Sequence, residues 1–358
     1  MKNYFVTYFD RNYLAKGLAL IESLKEHETK DFTIFVICLD EITRILLNKL
    51  APGNVVAIPL DAIERADFPL LNAKKTRSTV EYYWTLTPTI ILRILEKYPE
   101  VDVLTYLDAD LFFYAPTDAI YAELGDASVL IHEHRYSETL AHLEKMSGRF
   151  NVGLLCFRND GKAKNVLLKW REQCLEWCYY RFEEGRMGDQ MYLDKWPEEY
   201  DCVRILENVG AGLAPWNHAK YDIEAVDNEV MVNEKPLVFY HFHAFCILPH
   251  DLVVPLKHVH YPVVRNVNQY IVIPYLGCLF DIKQKIQDIL PEFEFGFSDE
   301  LELSPQHTLF VKNSDVSTLG LPQKEYSHMV TGEWTVLIPS TEISSGQEAS
   351  RETGRYGV

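Results

Sequence analysis

Asp108 and Asp110 are the residues of this chain whose type and spacing best suit chemistry. They close the run Val101-Asp102-Val103-Leu104-Thr105-Tyr106-Leu107, and Leu111-Phe112-Phe113 follows at once. Residues two apart on a strand face the same side, so both carboxylates can aim at one point. Two hard oxygen ligands at the end of a buried strand suit Mg²⁺ or Mn²⁺ carrying phosphate oxygens. An Asp-x-Asp tripeptide alone also marks an ordinary exit from strand to loop. The elements around it therefore decide.

Those elements alternate. Strands are expected at residues 4–9, 32–39 and 55–59, with helices at 13–25 and 41–50 between them. Leu14, Leu18, Ile21 and Leu24 give the first helix its apolar stripe. A long helix over 77–95, interrupted at Pro88, leads into the strand that ends in Asp108. Further strands are expected at 129–132, 150–157 and 236–243, with a helix at 163–182. This order implies a mostly parallel sheet with helices on both faces, and ligands bind beyond the carboxyl ends of such strands. Past residue 257 come an amphipathic helix at 270–290 and a polar stretch. After 340 Ser, Glu and Gly dominate, and a disordered tail is expected. The expected division is 1–255, an extension of helical and irregular structure at 256–339, and the tail at 340–358.

Composition narrows the class. With 358 residues, 47% apolar and 13% aromatic, the chain carries a substantial core. Its net charge of −17 argues against nonspecific nucleic-acid binding. An anionic nucleotide stays admissible, because a bound divalent cation reverses the local field. The seven cysteines are scattered without a C-x-x-C pair, so neither a disulfide framework nor a zinc site is expected. The first residues enter a strand directly, and no run approaches the length of a membrane span. A soluble cytoplasmic protein is the expectation. The helix at 270–290 leaves peripheral contact with the inner membrane face open, although core packing is the favoured explanation. A P-loop is absent, and Gly210-Ala211-Gly212-Leu213-Ala214-Pro215 has proline where a dinucleotide fingerprint needs its third glycine.

Five segments in order carry a family resemblance: Tyr8-Phe9-Asp10-Arg11-Asn12-Tyr13, Asp108-Ala109-Asp110, Phe150-Asn151-Val152-Gly153, Gly188-Asp189-Gln190 and His241-Phe242-His243. Together they resemble the GT-A glycosyltransferases, nearest to family 8 (glycogenin and galactosyltransferase-like) and to bacterial nucleotide-diphospho-sugar transferases. The resemblance covers about residues 1–250. It implies an α/β GT-A fold and metal-dependent transfer from a nucleotide-sugar, a UDP-hexose, to a glycan or lipid-linked acceptor in polysaccharide synthesis. It further implies Mn²⁺ or Mg²⁺ held by Asp108, Asp110 and a histidine, His243 at the strand exit being favoured over His241. The Lys-Pro-Trp that follows the family's histidine is missing here.

The same resemblance assigns the donor site. Thr7 and Tyr8 would sit near the base and Tyr13 would stack, while Asp10 would meet a ribose hydroxyl or serve only as an N-cap. Lys75 and Arg77 would reach the diphosphate, or belong to a solvated loop. Ala109 lies inside the carboxylate pair, and Asn151 and Gly153 lie beside the sugar. Asp189 and Gln190 are the catalytic candidates. Gln190 near the β-face of the anomeric carbon fits retention; Asp189 as base fits inversion, and stereochemistry stays open. Trp216 and Asn217 would form a loop over the site, toward the acceptor. Two other classes compete. A sugar-1-phosphate nucleotidyltransferase should open with a Gly-rich basic loop, which Phe9-Asp10-Arg11-Asn12 is not. A non-catalytic glycan- or nucleotide-sugar-binding protein on the same scaffold should have eroded ligands, and these are intact.

Overall fold

A computed structural model describes residues 2–183, 185–316 and 326–339, so the expected disordered tail at 340–358 lies outside the described residues. The chain opens with β1 (Asn3–Phe9), α1 (Leu14–His27), β2 (Phe32–Cys38), α2 (Glu41–Leu50) and β3 (Val55–Pro59). The three strands pair in parallel, β1 with β2 from Asn3↔Phe32 to Phe9↔Cys38. Asp40 starts α2 by accepting a hydrogen bond from the Thr43 amide at 2.8 Å.

Next comes α3 (Thr79–Lys97), opened by a capping box in which Ser78 and Glu81 exchange side-chain bonds with each other's backbone. The expected interruption at Pro88 does not occur, and α3 runs through it. Losing one helical N–H is outweighed here by burial of Leu86, Ile90, Ile91 and Ile94 against the sheet. β4 (Val103–Leu107) then inserts beside β1, on the side away from β2. After β5 (Leu111–Phe113) come β6 (Val129–Glu133), β7 (Phe150–Arg158), α4 (Gly161–Glu176) and β8 (Val203–Ile205). α4 ends at Glu176, short of the expected 182, where Trp177 turns extended.

The main sheet runs β3-β2-β1-β4-β7-β6-β8. It is mostly parallel, with β7 antiparallel to both neighbours. This is the α/β sheet that the GT-A resemblance implies. Helices α1 and α2 cover one face, and α3 and α4 cover the other. β7 lies in the middle and is buried everywhere except Arg158, which explains its nearly unbroken apolar sequence. The strand order reverses between β1 and β4, and the carboxyl ends at such a switch point are where open α/β sheets bind their ligands. Asp10 follows β1 and Asp108 follows β4 at that edge.

The remaining strands brace this edge. β9 (Ala211–Leu213) precedes a small antiparallel unit of β10 (Ile223–Val226), β11 (Glu229–Val232) and β12 (Lys235–Pro236). β13 (Phe239–His241) lies between β5 and β9 in a second sheet. A five-stranded antiparallel sheet joins β14 (Cys246–Leu248), β15 (Leu252–Val254), β16 (Leu309–Lys312), β17 (Tyr326–Thr331) and β18 (Trp334–Pro339). The extension therefore holds strands as well as the expected helix, and its sheet joins residues on both sides of position 255. That helix, α5 (Ile273–Gln287), packs in the core beside α1. Its Tyr275 ring stacks on Phe242 at 3.7 Å. Among the described residues no helix is long and apolar enough to cross a membrane.

Candidate active site

The two carboxylates converge through a turn. β4 ends at Leu107, Asp108 to Asp110 turn over, and β5 begins at Leu111 in a different sheet. The Asp108 amide donates to the Gly153 carbonyl at 2.8 Å, and the Leu111 amide donates back to Asp108 at 3.2 Å. Ala109 is buried inside the turn. β5 pairs antiparallel with β13 so that Leu111 faces His241. That register brings the His241 ring to the carboxylates. Its Nε2 lies 3.1 Å from Asp110 Oδ1 and 3.9 Å from Asp108 Oδ2. The three donor atoms all fall within 4.8 Å of one another.

His241 thus takes the place for which the sequence favoured His243. Strand pairing ends at His241, and the Phe242 amide bonds the Asp110 carbonyl at 2.9 Å. His243 lies beyond, its ring 5.5 Å from Trp216 and 6.1 Å from His258. Gly153 makes room for the inner histidine. A Cβ there would sit 2.9 Å from His241 Nδ1 and 2.6 Å from Asn151 Oδ1.

Charges in this cluster depend on one another. Burial pushes the Asp110 carboxyl up, but the charge and hydrogen bond of His241 reverse this and hold it below the usual carboxylate range. Burial lowers His241, and Asp110 more than restores it, so the ring is held above an ordinary histidine. Asp108 is raised, by burial first and the Asp110 charge as well, with His241 opposing. The Tyr106 hydroxyl donates to Asp108 Oδ1 at 2.7 Å. Two carboxylates and an imidazole suit a divalent cation; among the described residues His241 Nδ1 is buried without a hydrogen-bond partner, while Nε2 faces the carboxylates. The residues fit a metal.

Asp189 is linked to Asp108 by a chain of contacts through Thr87, Tyr8 and Tyr106. Its side chain accepts from Thr87 Oγ1 at 3.0 Å, and its backbone carbonyl accepts from Trp170 Nε1 at 2.8 Å. Burial pushes its carboxyl up to about 7; Thr87 opposes this and the Asp108 charge adds to it. Tyr8 belongs to the same group, its hydroxyl donating to the Tyr83 carbonyl at 3.0 Å and lying 3.1 Å from Thr87 Oγ1. Gln190 is held by its own amide: Nε2 donates to Ser147 O at 2.8 Å, and Oε1 accepts from Asn151 Nδ2 at 3.1 Å. Asn151 also bonds the Gly153 amide at 2.9 Å and meets His134 Nε2 at 3.2 Å. Its amide therefore orients Gln190 and the Gly153 backbone.

Other expected residues are placed differently. Asp10 accepts from the Asn12 and Tyr13 amides at 2.9 and 3.3 Å in the turn before α1, whose N-cap is Tyr13, so the N-cap role that was the alternative to ribose binding is not the one it plays. Thr7 is buried, and its hydroxyl has no partner among the described residues. Tyr13 is 42% exposed. Lys75 is exposed and bonds Asn72, while Arg77 donates to Leu175 O at 2.9 Å and lies over the Tyr179 ring. That cationic pair is thus engaged with its own loop and with α4. Trp216 is buried with its ring 5.3 Å from His241, a wall behind the histidine. Asn217 is buried with its amide committed to His134 O, Gly212 O and the Ala214 amide, so it supports the loop. The sequence reading missed Tyr106, Thr87 and His134. Tyr106 alone carried a signal, standing two residues before Asp108 with a hydroxyl that could reach it.

Fold and site together define a mixed α/β protein with an Asp-Asp-His cluster at the switch point of its sheet. No family model matches the chain. It is 30% identical over 307 residues to the uncharacterized protein YfnD of Bacillus subtilis strain 168, spanning 82% of this chain and 94% of that one. It is 31% identical over 307 residues to the uncharacterized protein YfnF of the same strain, spanning 84% and 99%. The chain belongs to the family of YfnD and YfnF. Solved structures similar to it include the galactosyltransferase LgtC with donor and acceptor sugar analogs, at 18% identity and TM-score 0.48 over 78% of this chain and 95% of that one. The glycosyltransferase GlyE of Streptococcus pneumoniae TIGR4 matches at 18% identity and TM-score 0.46, over 80% and 64%. Mouse xyloside xylosyltransferase 1 matches at 14% identity and TM-score 0.44, over 68% and 98%.

Proposed function

We propose that this chain is a metal-dependent glycosyltransferase that moves a hexosyl group from a UDP-sugar to a glycan or lipid-linked acceptor. The observation that carries the reading is the Asp108–Asp110–His241 cluster at the carboxyl edge of β1 and β4, with Asp189 linked to it through Thr87, Tyr8 and Tyr106. Asp108, Asp110 and His241 would hold the cation, and the mixed oxygen and nitrogen set favours Mn²⁺ over Mg²⁺. When bound, the metal would stabilise the negative charge that develops on the departing diphosphate. Tyr106 fixes the Asp108 carboxylate by its hydrogen bond. Thr87 fixes Asp189. With its carboxyl near 7, Asp189 is suited to exchange a proton with a sugar or acceptor hydroxyl at neutral pH. Asn151 and Ser147 set the face that Gln190 presents. The free thiols, all but Cys278 buried, fit the reducing cytoplasm.

Calorimetric titration of UDP, GDP and dTDP, each with and without Mn²⁺, tests the reading beside an Asp108→Asn, Asp110→Asn double variant. Metal-dependent binding of UDP, lost in the variant, is expected. Absence of binding by every nucleotide with the metal would refute the donor site and favour a non-catalytic protein on this scaffold.

A further inference from the structure

Lys16 is a lysine in an unusual place. It lies on α1, in the turn after Tyr13, with only 8% of its surface exposed. A buried ammonium is costly unless hydrogen bonds and opposite charge surround it. Its Nζ donates to one backbone acceptor, the Phe245 carbonyl at 2.9 Å, and rests 4.5 Å from the centre of the Tyr13 ring. Among the described residues it forms no ion pair within 4.0 Å. The carboxylates whose charge acts on it are Asp110 and Asp299, beside the titratable Tyr13 and Cys246, and it acts in turn on Asp110 and His243. Its acceptor, the Phe245 carbonyl, stands in the loop just past His241, where the Phe242 amide bonds the Asp110 carbonyl, so the ammonium lies against the segment that carries a metal ligand while its stem is packed inside the fold. It has three hydrogens, and the Phe245 carbonyl occupies one.

The charge balance of the site calls for such a group. Two carboxylates and a divalent cation cancel, and a nucleoside diphosphate then brings roughly two to three further negative charges to them. Lys75 is exposed and bonded to Asn72, and Arg77 is tied through one nitrogen to Leu175 O and over the Tyr179 ring, its Nε and Nη1 buried without a partner among the described residues. We infer that Lys16 binds the diphosphate of the nucleotide donor, giving the anion a cationic partner from α1 opposite the metal. This rests on the donor-site reading above. In the transfer, the bond from the anomeric carbon to the diphosphate oxygen breaks and its electron pair stays on that oxygen. The new bond forms to the acceptor oxygen, whose proton leaves to a base. Lys16 moves no proton and only holds the charge that results.

Lys16→Gln separates charge from scaffold, because the amide still donates to Phe245 O. Lys16→Met, which keeps the apolar stem, is made as a second variant. Each is titrated with UDP, uridine and inorganic diphosphate at saturating Mn²⁺. UDP and inorganic diphosphate should bind on the order of tenfold or more weakly than to wild type, with uridine and Mn²⁺ affinities unchanged. Unchanged UDP affinity overturns the proposal. An equal loss for uridine also overturns it, since it would make Lys16 a tie between α1 and the 244–246 loop, and so would failure of both variants to fold. If wild type itself binds none of the three with Mn²⁺, the donor-site reading has failed, and that is seen before any variant is made.

Discussion

Replacing Asp189 by Asn should stabilise the metal-free protein at pH 8 and destabilise it by about 1–2 kcal/mol near pH 4. The carboxyl is 5% exposed and is pushed up to about 7, chiefly by burial. In the unfolded chain it titrates near 3.9. Between about pH 4 and pH 7 the folded protein keeps a proton that the unfolded chain has released. Stability therefore falls as pH rises through that window, and the loss is complete above about 7. About three pH units at about 1.4 kcal/mol each come to roughly 4 kcal/mol. An asparagine oxygen still accepts from Thr87 and carries no charge to bury. Its new N–H group lacks a partner, at a cost of about 1–2 kcal/mol, so a net gain of roughly 2–3 kcal/mol is expected at pH 8. Urea unfolding of both proteins in chelator, stepped from pH 5 to 8.5, reads this out. A gain that does not grow with pH, or a variant less stable at pH 8, would refute the account of Asp189.

Four further outcomes follow from the site. His241→Ala should reduce Mn²⁺ affinity at least tenfold while His243→Ala leaves it within about threefold, by calorimetry; the reverse order would restore His243 as ligand. In wild type a proton competes with the metal for His241, whose protonated form Asp110 favours. Mn²⁺ affinity should accordingly drop as pH falls through a value above that of an ordinary histidine, and a profile flat from pH 8 to 5.5 would contradict this. Gly153→Ala places a Cβ 2.9 Å from His241 Nδ1, so Mn²⁺ should bind roughly tenfold more weakly, and unchanged binding would mean the ring can shift at no cost. Asn217→Ala removes three buried hydrogen bonds and should cost about 2–4 kcal/mol in unfolding while UDP affinity holds; a selective loss of ligand binding would return Asn217 to the site.

The strand and helix order was legible because each element's own periodicity writes it. β1, β2 and β3 fall within a residue or two of their expected limits, and α1 and α2 likewise. The pair Asp108 and Asp110 was equally visible, since an apolar strand ending in two carboxylates is a local pattern. Pro88 was misread for the same reason. Local rules weigh one missing N–H, whereas burial of a whole helix face against the sheet decides the outcome.

By itself, the sequence determined the α/β class, the carboxylate pair, Asp189 beside Gln190, and two histidines two positions apart on a late strand. These are properties of short segments, set by side-chain type and the strand period. Only the tertiary structure decided which histidine faces the metal site, because that depends on the register of β13 against β5, two strands far apart in the chain. It also decided that Asn217 and Arg77 are held by carbonyls elsewhere and that Lys16, from α1, bonds the Phe245 carbonyl in the loop past His241. Each choice is made by long-range packing and by the need of a buried polar group for a partner. No local pattern carries that information.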